Sequence, residues 1–235
     1  MKITFLGHSA FRLETGVSVL LVDPFLTGNP AATISSDEAS IGCTHVLLTH
    51  GHDDHVGDAL DILNKTGALL VANFELCSWL HAQGAQNYSP GNHGGRLRFD
   101  DFDVNFTHAW HSSGSSRSSG QIYLGNPAGF IIEPRKETGK TLYIAGDTGI
   151  FGDMRLIHEL YKPDYGILPI GDRFTMGAEQ AAYACRNFFN FKMVIPCHFG
   201  SFKGFVDSDA SAFLRAMGPD AGKVRVLSAG ETVYV

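Results

Sequence analysis

The chain has 235 residues, of which 44% are hydrophobic and 18% are charged. This composition is typical of a folded globular protein and excludes a disordered or fibrous one. The formal net charge of -6 argues against electrostatic attraction of the whole surface to nucleic acid, because such binding depends on Lys and Arg contacts to phosphate.

Short runs of apolar, strand-forming residues recur along the chain and are bounded by Gly, Asp, Asn or Pro. The predicted strands cover residues 2–6, 17–22, 45–48, 68–72, 102–107, 121–125, 130–133, 141–145, 165–168, 193–196, 224–227 and 232–235. Helical periodicity predicts helices over 56–65, 74–82, 152–161, 177–188 and 207–216. This order predicts an α/β (α+β) fold in which two packed sheets carry helices on their outer faces. No long polar linker interrupts it, so residues 1–235 are expected to form a single domain.

One low-complexity stretch, SSGSSRSSG over residues 112–120, directly follows His111. Its composition alone is typical of a mobile surface loop. Because of its position, we expect it to lie at the rim of a site and to become ordered around a ligand.

Imidazole and carboxylate groups are concentrated in the segment THGHDDH, which follows the apolar run VLL. Residues i and i+2 of an extended stretch project to the same side, so His50 and His52 can face one metal ion together. A helix that begins near Val56 would turn the chain and direct Asp54 and His55 at a second position beside the first. Such a dense group of titratable side chains has no packing benefit, and it predicts a metal site.

THGHDDH resembles the T-H-x-H-x-D-H signature of the metallo-β-lactamase superfamily, and four other motifs resemble those of that superfamily in the same order. LVDPF is similar to the segment whose aspartate braces the metal loop, AWHSSG to the third-histidine segment, AGDTG to the bridging-aspartate segment and IPCHFG to the final-histidine segment. The opening GHSAF and the segment DRFTMGAEQAA narrow the resemblance to a branch similar to the ascorbate-6-phosphate lactonases. The resemblance implies the metallo-β-lactamase fold, a four-layer αββα sandwich of two mixed β-sheets.

The same resemblance implies a dinuclear metal site. One ion would be held by His50, His52 and His111, the other by Asp54, His55 and His198, and both would share Asp147. Asp147 also follows the apolar run TLYIA, where a carboxylate without a compensating cation or donor would be costly. A turn-forming aspartate and a structural histidine are the alternatives for Asp147 and His198.

Three further residues near these motifs need an assignment. Both His108 and His111 lie in FTHAWHSSG, but only His111 has the small-residue tail of the superfamily pattern, which leaves His108 as a supporting or structural residue. Asp23 in LVDPF is expected to brace the metal loop. His8 in GHSAF is expected at the wall of the site as a catalytic proton donor or substrate contact, with a buried polar residue as the alternative.

Nitrogen and carboxylate ligands suit zinc, and they also suit manganese, iron and nickel. Two divalent cations would lower the pKa of a shared water and stabilise the charge that develops on the attacked group. We therefore expect a metal-dependent hydrolase that uses hydroxide bound to both metals, with Asp54 among its catalytic residues. No GxSxG, GxxxxGK[ST] or GxGxxG segment appears, which removes the usual support for a serine hydrolase, an NTPase or a dinucleotide-dependent enzyme.

The resemblance favours a small lactone, ester or phosphorylated substrate. Arg117, Arg173 and Lys203 are candidates to bind a phosphate, and a solvated surface charge is the alternative for each. A phosphodiesterase or nuclease acting on RNA or DNA is the alternative function, because such enzymes share the signature. The negative net charge of the chain disfavours this alternative. A diiron redox protein has a similar fold, but such proteins normally carry a flavin domain for which this chain has no spare length.

The expected partner is a small molecule, and a homo-oligomer is left open. No run approaches the roughly 20 apolar residues that cross a bilayer. The start MKITFLGHSAF lacks the features of a secretory signal, so a cytoplasmic location is expected. The cysteines have no CxxC spacing and are expected to be reduced and buried, with Cys197 of interest because it adjoins His198.

Overall fold

The computed structural model describes residues 1–118, 120–136 and 140–235, without the side chains of residues 117, 118 and 121. Two mixed β-sheets face each other at its centre. The first sheet has the strand order β15-β1-β2-β3-β4-β5-β6. Its strands are β1 (Lys2–Gly7), β2 (Ala10–Thr15), β3 (Ser18–Val22), β4 (His45–Leu47), β5 (Leu69–Asn73), β6 (Tyr88–Gly91) and β15 (Thr232–Tyr234).

The second sheet has the order β14-β13-β12-β11-β8-β7. Its strands are β7 (Arg96–Arg98), β8 (Phe102–His108), β11 (Ala128–Pro134), β12 (Leu142–Ile144), β13 (Tyr165–Pro169) and β14 (Met193–Cys197). A separate antiparallel hairpin is formed by β9 (Gly114–Ser118) and β10 (Gly120–Tyr123). The helices are α1 (Ser36–Ala39), α2 (Asp53–Val56), α3 (Ala59–Thr66), α4 (Phe74–Ala82), α5 (Met154–Tyr161), α6 (Ala178–Asn187) and α7 (Ser211–Met217), followed by a 3-10 helix at Gly218–Lys223.

Strand alternation builds the four layers. Leu20 and Val22 of β3 point into the core between the sheets, whereas Leu21 points to the opposite face and packs with α3 and α4. In the second sheet, Phe130 of β11 faces the core between the sheets and Ile131 faces α5, α6 and α7. The order of layers is therefore helices, sheet, sheet, helices, which confirms the predicted αββα fold.

The prediction of one continuous helix over 56–65 is wrong. This stretch is divided into α2 and α3 at Gly57, whose backbone has φ +43 and lies against Phe25 and Pro24. A side chain at this position would collide with the Phe25 backbone, so the break depends on glycine. The helix predicted over 207–216 begins only at Ser211.

Three other predictions of local structure need correction. The strand predicted over 224–227 is reduced to one bridge between Val224 and Val194, because the chain touches β14 at that point only. The serine-rich stretch after His111 was expected to be a loop, but it contains β9, which pairs with β10. The strands β2, β6 and β7 were missed, and β6 and β7 are short strands without an apolar run.

Most strands of each sheet run in the same direction and end at one edge of the sandwich. In the first sheet these are β1, β3, β4, β5 and β6, and in the second they are β8, β12, β13 and β14. Six of them, β1, β3, β4, β8, β12 and β14, lead to the predicted site residues. Loops at the carboxyl ends of such strands commonly form the binding sites of α/β proteins. Among the described residues, none of the helices combines the length and the apolar character that a membrane span requires.

Candidate metal centre

The carboxyl end of each of these six strands leads into a predicted site residue. Strands β1, β3 and β4 lead to His8, Asp23 and the segment His50 to His55, which is called the histidine loop (residues 50–55) below. Strands β8, β12 and β14 lead to His111, Asp147 and His198. Residues that are far apart in the sequence therefore converge at one edge because of the strand directions.

His50, His52 and His111 form the first group of donors. One ring nitrogen from each lies within 4.8 Å of the others. Nε2 of His50 is 3.0 Å from Nδ1 of His52. Thr49 donates its hydroxyl proton to Asp23, so the Thr49 oxygen accepts a hydrogen bond from Nδ1–H of His50. The neutral His50 ring then carries its proton on Nδ1 and a lone pair on Nε2. A proton or a cation has to lie between two ring nitrogens at this distance, because two lone pairs would repel each other.

Asp54, His55 and His198 form a second group, in which His8 takes part. Asp147 lies between the groups. Its Oδ2 is 3.0 Å from Nε2 of His198, 3.2 Å from Nε2 of His55 and 3.8 Å from Nε2 of His111. The structure thus brings all seven predicted ligands together, and Asp147 lies beside histidines of both groups.

Asp23 orients the histidine loop through three hydrogen bonds. Its Oδ2 accepts hydrogen bonds from Nδ1 of His55 at 2.8 Å and from the Thr49 hydroxyl at 2.7 Å, and its Oδ1 accepts one from the Thr49 backbone N–H at 2.8 Å. These bonds direct Nε2 of His55 toward Asp147. A carboxylate that fixes the ring of a ligating histidine in this way is the usual support of a metal site.

His8 is fully buried and both of its ring nitrogens have partners. Nδ1 lies 2.7 Å from the Ser201 hydroxyl and Nε2 lies 3.1 Å from Oδ2 of Asp54. When Ser201 donates to Nδ1, the Nε2–H donates to Asp54 and fixes the direction of that carboxylate. The backbone N–H of His198 also donates to the carbonyl of His8 at 2.7 Å, which joins the ends of β1 and β14.

Three of these residues have left-handed backbone conformations: φ is 56° at His8, 45° at Asp23 and 59° at His198. Such conformations are unfavourable for residues other than glycine and cost of order 1 kcal/mol each. Their concentration at one edge of the fold is typical of a functional site, where the surrounding structure holds the strained residues in place.

The electrostatics of the two groups differ. Burial is the main cause that lowers the pKa of His50, His52 and His111, so these imidazoles are neutral near pH 7 and can act as ligands. Burial would raise the pKa of Asp147, but the charges of His198 and His55 outweigh it and hold that pKa well below its usual range. Burial would lower the pKa of His55, but the carboxylates of Asp147 and Asp23 raise it well above its usual value.

The residues present fit a metal ion. Among the described residues, Oδ1 of Asp147 is a buried side-chain atom without a hydrogen-bond partner, and Nε2 of His55, although 3.2 Å from Oδ2 of Asp147, makes no hydrogen bond of good geometry. Buried polar atoms normally have a partner, and both atoms belong to residue types that bind zinc and similar ions. A cation between the groups would satisfy these atoms and would separate the nitrogens of His50 and His52.

The stretch that follows His111 is bonded to the histidine loop, and residues 112–116 are called the serine segment below. The Ser112 hydroxyl lies 3.3 Å from Nε2 of His52, and the Ser113 hydroxyl accepts a hydrogen bond from the Gly51 N–H at 3.0 Å. Ser115 and Ser116 donate to Oδ1 and Oδ2 of Asp53 at 2.8 and 2.9 Å. A cleft of about 600 Å³ lies here, lined by His52, Asp53, Asp54, the serine segment, Ile122 and Tyr123.

The other predicted residues lie around this centre or away from it. His108 contacts Phe151 and His93, with ring centroids 5.2 and 5.4 Å apart, and belongs to neither donor group. Cys197 is buried in the core between the sheets, and burial together with the charge of Asp147 raises the pKa of its thiol well above its usual value. This thiol therefore stays protonated and has a structural position.

Of the three predicted phosphate contacts, Arg173 and Lys203 are exposed on the loops that follow β13 and β14. The side chain of Arg117 lies outside the described part of the chain. Two residues with a clear place in the site were missed by sequence reasoning. Ser201 directly follows IPCHFG and Asp53 lies inside THGHDDH, but neither was assigned a role.

Replacing Asp23 with asparagine is expected to weaken metal binding about 10- to 100-fold, because an amide has one acceptor oxygen: if that oxygen accepts from His55 and the Thr49 hydroxyl, the NH2 group faces the Thr49 backbone N–H, which is also a donor. Competition with a chromophoric chelator measures this affinity. Asp101→Asn is the matched control, since Asp101 is also buried and accepts bonds from the Val17 N–H and the Ser18 hydroxyl far from the site. Equal metal affinity in both variants would contradict a bracing role for Asp23.

The comparisons with known proteins agree on one family. Residues 2–198 match the model of the "Beta-lactamase superfamily domain". A UPF0173 metal-dependent hydrolase of Methylocella silvestris is 54% identical over 224 residues, which cover 95% of this chain and 95% of that protein. A second UPF0173 metal-dependent hydrolase, from Chelativorans sp., is 50% identical over 235 residues, with 99% of each chain covered.

Among solved structures, Igni18, a metallo hydrolase from the archaeon Ignicoccus hospitalis, is similar over 99% of this chain and 97% of its own. The TM-score is 0.86 and the sequence identity is 34%. The superfamily predicted from the motifs is confirmed, while the branch similar to the ascorbate-6-phosphate lactonases stays a prediction. The chain belongs to the UPF0173 metal-dependent hydrolase family of the beta-lactamase superfamily.

Proposed function

We propose that the chain binds two divalent metal ions, preferably zinc, and hydrolyses a small lactone, ester or phosphorylated substrate. The observation that carries the proposal is the position of Asp147 between the histidines of the two donor groups. His50, His52 and His111 would hold one ion, Asp54, His55 and His198 the other, and Asp147 both. When bound, the ions supply a water of lowered pKa and neutralise the negative charge that develops on the attacked group.

The chain itself supplies the fixed directions of the ligands. Asp23 holds the ring of His55, and Thr49 holds Nδ1 of His50. His8 acts through Asp54, because its side chain is fully buried and its Nε2 already meets that carboxylate. We therefore assign His8 as a positioning residue, in place of a direct proton donor to the substrate.

Arg173 is proposed to bind a phosphate or carboxylate of the substrate. Its guanidinium lies over the rings of Phe174 and Phe205, 5.6 and 5.1 Å from their centroids, and both rings are half-exposed. The loop that carries it is joined to the site on two sides. Met176 donates to the carbonyl of Thr148, next to Asp147, and Gly171 packs against His198. Lys203, which is exposed on the loop after His198, is proposed as a second positive charge for the substrate.

The proposal is tested by loading the purified protein with zinc or manganese and screening small lactones, aryl esters, phosphomonoesters and phosphodiesters. Hydrolysis that depends on the metal supports it, and no turnover in any of these classes contradicts it. The same preparation tests the two other predicted functions. Tight, salt-sensitive binding of labelled RNA would favour a nuclease, and visible iron absorbance would favour a diiron redox protein.

Arg173→Gln is expected to raise KM for an anionic substrate about tenfold, with a smaller change in kcat, because it removes a charge that binds substrate before and during the reaction alike. Steady-state kinetics on one phosphorylated or carboxylated substrate measure the change. Arg155→Gln is the matched control, since Arg155 is an exposed arginine of α5 that faces Glu159 at 3.7 Å. An unchanged KM in Arg173→Gln would remove Arg173 from the substrate site.

A further inference from the structure

The ring of His8 lies at the second donor group and away from the first. Its donor atoms cluster with those of the second group, whereas among the described residues the first group forms its cluster without His8. Nε2 of His8 is 3.1 Å from Oδ2 of Asp54, and the ring centroids of His8 and His198 are 4.1 Å apart. Whatever fixes the His8 ring therefore acts on one of the two proposed ions and not on the other.

Asp54 is the ligand of the second group that depends most on His8. Asp23 holds the ring of His55, and the backbone of His198 is bonded to the carbonyl of His8. The Asp54 side chain is 34% exposed, and in the described part of the chain the only hydrogen-bond donor to its carboxylate is Nε2 of His8. Because a carboxylate at the surface can turn toward water, the direction of Asp54 depends on that one bond.

Ser201 fixes the other nitrogen of the His8 ring. A carboxylate only accepts hydrogen bonds, so the proton of the bond between His8 and Asp54 belongs to Nε2. In a neutral ring Nδ1 then carries a lone pair, which accepts the proton of the Ser201 hydroxyl at 2.7 Å. Phe25 and Phe202 meet the ring edge-on, with centroids 6.2 and 5.3 Å away. The Ser201 hydroxyl therefore selects the His8 tautomer that donates to Asp54.

We propose that Ser201 is a positioning residue that acts through His8 on Asp54 and sets the affinity of the second ion without changing that of the first. The inference rests on the proposed binding of two ions. A residue that orients a metal ligand through a hydrogen bond typically changes metal affinity about 10- to 100-fold. Ser201 thus gives the chain a means to bind its two ions with different affinities.

The test measures zinc affinity by competition with a chromophoric chelator. Ser201→Ala is expected to weaken the second ion about tenfold and to leave the first within about twofold of the wild type. Two backgrounds identify the ion that changes. In His52→Ala the first group lacks a ligand, and adding Ser201→Ala is expected to weaken the remaining ion about tenfold. In Asp54→Ala the second group lacks a ligand, and adding Ser201→Ala is expected to change nothing. The reverse pattern would overturn the inference.

Two variants separate the hydroxyl from its packing. Ser18→Ala is the matched control, because Ser18 and Ser201 are both 8% exposed and Ser18 also donates to another side chain, Asp101, at 3.1 Å. It is expected to leave both ions at wild-type affinity. Ser201→Thr keeps the hydroxyl and is expected to keep the second ion near wild-type affinity. A loss in either variant as large as that in Ser201→Ala would attribute the effect to packing and overturn the inference.

The tautomer of His8 can be measured without any change at Ser201. Nitrogen-15 chemical shifts of the ring report which nitrogen carries a proton, and the signals that disappear in His8→Asn identify those of His8. In the zinc-loaded wild type we expect a proton on Nε2. A ring that carries its proton on Nδ1 alone would leave Nε2 free to bind the ion. His8 would then be a ligand itself, and the positioning role of Ser201 would be overturned.

Zinc binding keeps this inference separate from the proposed function, because none of these measurements requires turnover. If the wild type binds zinc but hydrolyses no substrate, the hydrolase function fails while the affinities still decide the role of Ser201. If the wild type binds a single ion, the proposed pair of ions fails. A tenfold weaker affinity for that ion in Ser201→Ala would then support the positioning role, and an equal affinity would overturn it.

Discussion

Asp54→Ala and His52→Ala are each expected to lower kcat/KM by about 10³-fold or more while the chain remains folded, a loss of the size seen when a group that stabilises transition-state charge is removed. Each side chain belongs to one donor group, so its loss leaves an ion without a ligand. Both residues lie on the histidine loop and outside the hydrophobic core, and 34% of the Asp54 side chain is exposed. Steady-state kinetics, elemental analysis and circular dichroism measure activity, metal content and folding separately.

His108→Ala is the matched control for these variants. His108 comes from the same FTHAWHSSG segment as His111, but its ring contacts Phe151 and His93. It is expected to retain metal and activity close to those of the wild type. A wild-type rate in Asp54→Ala or His52→Ala would contradict the assignment of the histidine loop.

Removal of metal is expected to abolish hydrolysis and to lower the midpoint of thermal unfolding. An ion present at 1,000 times its Kd stabilises the folded chain by about 4 kcal/mol, which corresponds to roughly 8 to 16 °C for a chain of this size. Without the ion, the buried Oδ1 of Asp147 keeps no hydrogen-bond partner among the described residues. Calorimetry before and after dialysis against a chelator measures the shift.

Restoring zinc should restore both the midpoint and the activity. Asp147→Asn provides the comparison, because an uncharged amide between the two groups is expected to reduce the thermal shift on adding zinc. If chelation leaves the midpoint unchanged and the wild-type protein holds no stoichiometric metal, the centre is a hydrogen-bonded cluster and the proposed function fails.

The convergence of the predicted ligands could be foreseen because each one follows an apolar strand that is legible in the sequence. TLYIA ends before Asp147 and MVIPC before His198, and both strands end at the same edge as β4. The layered fold could be predicted for a similar reason, since alternation along strands such as β3 assigns each residue to one face. The site therefore follows largely from local signals that are repeated along the chain.

What could not be predicted depends on contacts between distant residues. Ser201 contacts His8 across 193 positions, and the motif IPCHFG that precedes Ser201 indicates a ligand at His198 but not this contact. The break between α2 and α3 required the close approach of Phe25 to Gly57, which periodicity does not report. Strand β9 consists of serine, glycine and arginine, so its pairing with β10 has no apolar signal.

The left-handed backbone at His8, Asp23 and His198 has a consequence for how this sequence can vary. Glycine would relax each position, yet glycine has neither an imidazole nor a carboxylate to offer. Glycine at any of these positions would therefore relieve backbone strain but remove a functional side chain, so a variant stabilised in this way is expected to be a less active enzyme. The fold is therefore less stable than it could be at the edge that carries the candidate metal centre.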